Sequence, residues 1–505
     1  MSQHSPGHSL RKSSSLLVLL YATRALAQTA PANDAPAPPS SPPLPADSSS
    51  QQQRERANQS LLPPPPPPPR ETASDPLSRF LYGLGMITAR FNGTLYGFAE
   101  FDLMYDTTQS FNDSIGNNVI ARTDGATHLA GTNSRFQMTA RNSRIGFKLT
   151  APEWHKLKAT ALIEGDFFGN QPSGITEAQL FNNPTFRIRH AYAKIENPWV
   201  EILGGQYYGL ISWQPFFFPV SVEFLQVPNM IFGRTPQLRL SHGFKSRLFN
   251  FDIAAALLRP PQRDASIPDL QGALRFQVNK WKGAHSAGSG YAVVDPLTLG
   301  LSGALRYYRV NEFSAMPMNY RRATGWAVSA DAMIPIIPAR TPDDKSNALT
   351  ASGSFVKGSG DGDIYGLTGG AAFPALPTLA MGGAAPPAYP SNVDPGLVQF
   401  DALGNMRTIN WQTFIVCLQY YLPPKGRIFI AGDYSQSNSN NIAQGLKGGA
   451  LGKVVTQSQY IETNLFVDVT LAVRMGAAWE KVIQTMGDGA RLTDDRFIYA
   501  LYYFF

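Results

Sequence analysis

The sequence predicts an all-β fold, a transmembrane antiparallel β-barrel of about 16 strands preceded by a Pro-rich disordered arm. Three observations predict it. Charged residues are 16% of the 505, against about 25% in soluble domains, while aromatics reach 11%. No run of about 18 apolar residues occurs, so no helix is expected to span a bilayer, and only a closed sheet would satisfy every backbone N–H and C=O in lipid. From about residue 92 to the end, short segments of alternating polarity are separated by Gly, Asn, Asp and Pro clusters, the pattern of membrane-barrel strands.

Residues 1–27 read as an export signal. Arg11 and Lys12 precede the apolar run Leu16, Leu17, Val18, Leu19 and Leu20, and Ala25-Leu26-Ala27 before Gln28 has the form of a cleavage site. Residues 28–91 form an arm and linker dominated by Pro, Ser, Ala and Gln, with seven prolines at 63–69. Such a composition buries no core and favours extended polyproline II. It predicts a semi-rigid periplasmic spacer, with a cell-wall contact as the alternative role. The barrel is expected over 92–505.

The first strand is the clearest. In Thr94 to Asp106, Leu95, Gly97, Ala99, Phe101, Leu103 and Tyr105 alternate with Thr94, Tyr96, Phe98, Glu100, Asp102 and Met104. One face suits lipid and the other water. The same alternation recurs at 143–150, 157–168 and 297–308. Parity fails near Arg141 and through Arg187 to Lys194, where a bulge would switch the faces. The last ten residues put Phe497, Tyr499, Leu501, Tyr503 and Phe505 on one face and end on an aromatic, which resembles the terminal assembly signal of bacterial outer-membrane barrels.

An even strand number places both ends of the barrel on one side. With the first strand running outward, the long connections at about 107–134, 169–184, 209–234, 358–407 and 435–457 fall outside. Short ones near Pro152, Asn197-Pro198, Gly243 and Pro423-Pro424 fall inside. The stretch 280–296 breaks this rule, being too long for an inner turn.

The motifs Ser143-Arg144-Ile145-Gly146-Phe147-Lys148, Glu164-Gly165-Asp166-Phe167-Phe168-Gly169, Arg187-Ile188-Arg189-His190-Ala191-Tyr192, Gly204-Gly205-Gln206 and Arg234-Thr235-Pro236-Gln237-Leu238-Arg239 occur in this order. This stretch resembles the DcaP-like porins, most strongly over about 92–245. The resemblance implies a homotrimer of sixteen-stranded barrels admitting small anionic solutes, dicarboxylates among them. The family type carries a periplasmic coiled coil where this chain has polyproline.

A pore selects by rings of charge and by the width of its constriction. Arg144, Arg187, Arg189, Arg239, Arg275 and Arg306 all fall inside strand segments, where a lipid-facing guanidinium at mid-bilayer would cost about 2–4 kcal/mol. They are therefore expected at the lumen or the interfaces. Each either forms part of a solute-facing ladder or pairs with a lumenal carboxylate such as Glu100, Asp102, Glu164 or Asp166. The external loop at about 209–234 carries Trp213, Phe216, Phe217, Phe218, Phe224, Leu225 and Phe232, poor choices for a loop left in water. Folding inward as a constriction would bury them, as would packing on a neighbouring subunit. Glu223 is its only acid, so an inward loop would do little to cancel a basic wall.

The formal charge is +7, of which +5 belongs to residues 80–505. That excess is too small to indicate nucleic acid. The single cysteine, Cys417, excludes an intrachain disulfide. The seven histidines lack metal spacing, and Asp361 and Asp363 in Gly358 to Gly366 make an incomplete calcium pattern. No cofactor, metal or enzymatic activity is expected. The function these readings predict is an outer-membrane diffusion porin, held by membrane lipid. The alternatives are a structural barrel anchored by its arm and an outer-membrane hydrolase, for which His190 is the one candidate.

Overall fold

The computed structural model describes residues 91–505 apart from 171–175, 177–181, 224–226, 289, 315, 366–392 and 402. The export signal, the arm up to residue 90, and Phe224 and Leu225 of the apolar loop lie outside the described residues.

The wall is built from β1 (Asn92–Asp106), β2 (Arg135–Thr139), β3 (Arg144–Thr150), β4 (Lys158–Asp166), β5 (Arg187–Glu196), β6 (Glu201–Tyr208), β7 (Arg234–Lys245), β8 (Phe249–Leu258) and β9 (Asp269–His285). It continues through β10 (Val293–Asn311), β11 (Tyr320–Ile337) and β12 (Leu349–Ser359). A small separate hairpin, β13 (Val398–Phe400) with β14 (Met406–Thr408), precedes β15 (Asn410–Leu422), β16 (Ile428–Asn438), β17 (Val455–Asp468), β18 (Val473–Met486) and β19 (Arg491–Phe504). Each wall strand pairs antiparallel with the next, and β19 pairs with β1 to close the ring. Closure removes the edges, so no ladder groups face lipid unpaired.

β2 and β3 occupy one wall position. β2 pairs with the outer end of β1 and β3 with its beginning, the strand being broken at 140–143. Counted this way the barrel has 16 strands. The break is also where facing changes. Gln137, Thr139 and Arg141 are buried on the inner side before it, and Asn142 and Arg144 take over that side after it. A second switch lies in β5, where the ladder with β4 passes from Glu164↔His190 to Gly165↔Ile188, leaving Arg189 as the extra residue. The bulge turns both Arg189 and His190 inward, so parity fails here by the expected bulge, whereas near Arg141 it fails because the strand is broken.

Elsewhere the alternation sorts as lipid and water require. Leu95, Phe101 and Tyr105 are exposed on the outside of β1, while Glu100, Asp102 and Met104 are buried inside. Leu299, Leu301, Leu305 and Tyr307 do the same on β10, as do Phe497, Leu501 and Tyr503 on β19. Each apolar side chain moved from water into lipid is worth about 1.5–3 kcal/mol. A one-residue slip would reverse all of them at once, and this holds the register.

Five connections at one rim are long, spanning 107–134, 167–186, 209–233, 360–409 and 439–454, beside the shorter 259–268, 312–319 and 487–490. At the other rim they are mostly short. Two expectations are corrected there. The turn expected at Gly243 is at 246–248, because β7 runs on to Lys245. The stretch 280–296 is not a long connection at all: β9 and β10 extend through it, joined by 286–292. What hid the strands is an irregularity, in which Val278 pairs with Leu297 but Lys282 pairs with Pro296, so residues 279–281 bulge out of the ladder and scramble its parity.

Candidate functional site: an arginine wall facing a loop inside the barrel

The segment 209–233 leaves β6, crosses the inside of the barrel and returns to β7. Its first anchor is on the wall near its root. Ser212 N donates to Ser302 Oγ at 2.9 Å, Ser212 Oγ donates to Asp331 and lies 2.7 Å from Ser354 Oγ, and Trp213 Nε1 donates to the Leu274 carbonyl at 2.7 Å. These bonds to β9, β10, β11 and β12 hold Ser212 in a left-handed conformation, φ 61°. The second anchor is on the far wall. Ser221 Oγ donates to Glu462, Val222 N donates to Asn464 Oδ1, and Glu223 pairs with Arg496 at 3.2 Å. Asn229 completes it, its amide donating to Ser435 Oγ and the Ser458 carbonyl while accepting from Ser437 Oγ at 2.7 Å, and Thr413 Oγ1 donates to its carbonyl.

The apolar side chains of the segment divide between two environments. Phe217 is buried, while Phe218 and Phe232 pack against each other and against Tyr208. Trp213 and Phe216 face the basic wall, each ring under the Arg275 guanidinium. Phe224 is outside the described residues.

All six strand arginines point away from lipid, as the cost of a guanidinium in hydrocarbon requires. Arg187 and Arg189 grip Asp166 at 2.7 and 2.9 Å, and Arg189 also reaches Glu164 at 2.9 Å. Arg144 approaches Glu164 at 3.7 Å. Tyr96 donates to the same carboxylate at 2.9 Å, reaching it across Gly146, which lies between them in register and has no side chain to obstruct the ring. Arg275 pairs with Asp252 at 3.0 Å. Arg239 instead donates to Gln237 and to the Tyr208 carbonyl. Arg306 stands apart: it ties Asp269 to Asp363, fastening the 360–409 connection to the wall. Asp363 is thereby engaged by an arginine, and no group fit to hold a metal ion occurs among the described residues.

The two sides of the interior differ in access to water. On β3–β9 three arginines keep part of their surface, with side-chain exposures of 20% for Arg144, 30% for Arg187 and 26% for Arg275, while Arg189 and Arg239 are buried. On the opposite side Arg474 and Arg496 have none. That opposite side is acidic: Glu100, Asp102, Asp106, Asp433, Glu462, Glu480 and Asp494 all face inward and are buried under the 107–134 and 209–233 segments. Arg496 holds Asp106 at 2.7 Å and Arg141 holds Asp113 at 2.8 Å, partly offsetting the cost of burying carboxylates. Burial, with Asp102 and Glu462 nearby, pushes the Glu223 carboxyl up to about 8 even beside Arg496.

Three cavities follow the accessible side. One of about 480 Å³ at the long-loop rim is lined by Gln206, Arg234, Arg263, Arg306, Asp269 and Asp363. Another of about 410 Å³ lies between Arg144, Arg189 and the segment's Phe218, Glu223 and Met230. A third of about 620 Å³ opens at the short-turn rim, bounded by Trp213, Arg239, Arg275, Lys156 and Lys245 with Glu201 and Asp252.

Solved structures share this architecture. The outer membrane channel DcaP of Acinetobacter baumannii matches with a TM-score of 0.58 at 16% identity, over 83% of this chain and 98% of that one. The chain has the DcaP fold. An anion-selective porin from Comamonas acidovorans (TM-score 0.47, 11% identity, 82% and 100% covered) and Salmonella typhi OmpF in complex with daunomycin (0.45, 12%, 83% and 99%) are more distant. No protein-family model and no curated protein sequence matches the chain.

Within this DcaP-fold barrel several site residues were not singled out from the sequence. Arg234 follows the inner segment directly, stacks over Phe232 at 4.7 Å and faces the rim cavity. Its place within the Arg234–Arg239 motif was the available signal. Glu462, Glu480 and Arg496 alternate with outward apolar residues on β17–β19 and were legible as inward, but nothing local indicates that loops cover them.

Proposed function

We propose that the chain is an outer-membrane diffusion porin for small hydrophilic solutes with a preference for anions, dicarboxylate-like compounds among them. One observation carries the reading: the part of the interior open to water is lined by Arg144, Arg187, Arg234 and Arg275, with Arg239 buried beside them, whereas most inward carboxylates lie buried beneath loops. Glu164, Asp166 and Asp252 offset only part of the positive charge on that wall. Between low-dielectric walls the residual field raises the local anion concentration.

The 209–233 segment serves in this reading as the constriction. Trp213 and Phe216 narrow the passage facing Arg239 and Arg275, and the hydrogen bonds at both ends keep the segment from swinging out. The long-loop rim faces outside the cell and the arm lies in the periplasm, reached by export through the N-terminal signal. Assembly as a homotrimer belongs to this reading as what the resemblance of residues 92–245 to the DcaP-like porins implies. No step of this function needs covalent chemistry.

Bilayer recording in a salt gradient tests it. Stepwise conductance with a reversal potential of anionic sign is expected, and the preference shrinks as the Debye length falls from about 10 Å at 0.1 M to about 3 Å at 1 M salt. Folded protein giving no ion steps would leave a structural barrel as the better description.

A further inference from the structure

On the lipid side of the barrel, near the long-loop rim, Arg309 of β10 stands directly opposite Arg322 of β11. The alternation fixes their orientation, for Leu305, Tyr307, Tyr320 and Trp326 share that face and are exposed. Two like charges at facing positions destabilise a strand pair. Neither takes a carboxylate partner among the described residues: Arg309 donates to the Asp264 carbonyl at 3.1 Å and stacks over Tyr320 at 5.0 Å. Tyr307 and Tyr320 mark the level where aromatic rings meet lipid headgroups.

Below the arginines, on the same strands, the outer wall carries an apolar groove of about 690 Å³ lined by Leu238, Leu257, Leu270, Leu305 and Trp326. Its floor includes Gly303, a site where the wall has no side chain. Leu238, Leu257, Leu270, Leu305 and Trp326 face one another in register across five strands, so they form one bank of a continuous depression. From Arg309 to Gly303 the strand covers about 20 Å at about 3.3 Å per residue. Tilted as barrel strands are, this descends about half of a roughly 30 Å hydrocarbon core, the depth of one leaflet.

From this juxtaposition of a facing arginine pair with a groove beneath it, we infer that the outer wall over β7–β11 is a binding site for a lipid with a phosphoryl headgroup. A phosphate lying between the two guanidinium groups accepts hydrogen bonds from both and relieves their repulsion. The acyl chain fills the groove that wall residues leave open. An apolar partner surface would fill the groove but leave the arginines facing each other, which is why a charged lipid is the occupant assigned. The inference rests on the membrane-spanning reading but not on conduction.

Trp326 lines the groove and reports on it. Full-length protein is reconstituted in vesicles of phosphatidylcholine doped with acyl-brominated phosphatidylglycerol or acyl-brominated phosphatidylcholine, and the emission lost in Trp326→Phe isolates the Trp326 signal. The brominated phosphatidylglycerol is expected to quench it at about tenfold lower mole fraction, as two arginines near a membrane surface imply. Arg309→Gln/Arg322→Gln should abolish the difference while leaving conductance unchanged, and Gly303→Leu should reduce quenching by both lipids. Equal quenching by the two lipids in the parent, a preference that survives in the double variant, or a Trp326 unreachable by either lipid because another subunit covers it would each overturn the assignment. Loss of conductance with the lipid preference intact would instead count against the porin reading alone.

Discussion

The Arg275 guanidinium lies 5.0 Å from the centroid of the Trp213 ring, so a residue of the wall and a residue of the inner segment meet across the accessible side of the lumen. Phe216 approaches the same group at 5.4 Å. A contact of this kind at a water-accessible site is worth about 0.5–1 kcal/mol. Trp213→Ala should release the guanidinium and widen the passage, raising single-channel conductance and strengthening anion preference. Arg275→Gln should weaken that preference. Unchanged conductance in Trp213→Ala would mean that ions pass elsewhere.

Arg187 and Arg189 share Asp166 but differ in burial, and their variants should differ accordingly. Arg187 is 30% exposed, so Arg187→Gln is expected to shift the reversal potential towards cations with little loss of stability. Arg189 is buried between Glu164 and Asp166, and Arg189→Gln removes a buried partner from both, leaving Asp166 to Arg187 and Glu164 to Tyr96 and Arg144, at a cost of about 1–3 kcal/mol. Recording the potential and the unfolding temperature of both variants separates selectivity from stability. Equal effects on both readouts would contradict the division.

Glu223 predicts a pH dependence. Its carboxyl is raised in the folded state to about 8 by burial, above an ordinary value of 4.5. The folded protein therefore holds a proton that the unfolded chain has lost, and this stabilisation is complete below about 4.5 and disappears as pH rises through about 8. Thermal stability should decline across that window, and Glu223→Gln should flatten the decline. A variant with the parent's slope would assign the dependence to other groups.

Gly97 closes the ring by exchanging backbone hydrogen bonds with Phe505, each 3.1 Å. A Cβ there would come within 2.2 Å of the Arg144 carbonyl oxygen and 2.9 Å of the Phe505 ring. The first contact is with backbone and does not yield by a rotamer change. Gly97→Ala should cost about 1–3 kcal/mol and reduce the fraction of chain that migrates as folded barrel in unheated electrophoresis. Normal folding would show that β1 and β3 can part without loss.

Strand number, facing and the long-loop rim were legible because lipid and water sort side chains locally, two residues at a time. Parity failure at Arg141 and Arg189 pointed to the break and the bulge for the same reason. The irregularity at 279–281 was misread as a loop, since an insertion of several residues erases alternation on both sides of it. The pairing of Arg187 with Asp166 could be anticipated from proximity in the motifs. The anchoring of Asn229 could not, because its partners Thr413, Ser435, Ser437 and Ser458 lie about two hundred residues away and have no distinguishing pattern.

Those same Asn229 bonds set an order of events in assembly. They join the connection after β6 to β15, β16 and β17, so the segment cannot dock until nearly the whole chain has been threaded into the wall. Loop closure over such a separation is slow relative to pairing of neighbouring strands. In the nascent barrel the far anchor of the segment therefore lacks its partners until β15, β16 and β17 are in place, and the bore narrows late in maturation.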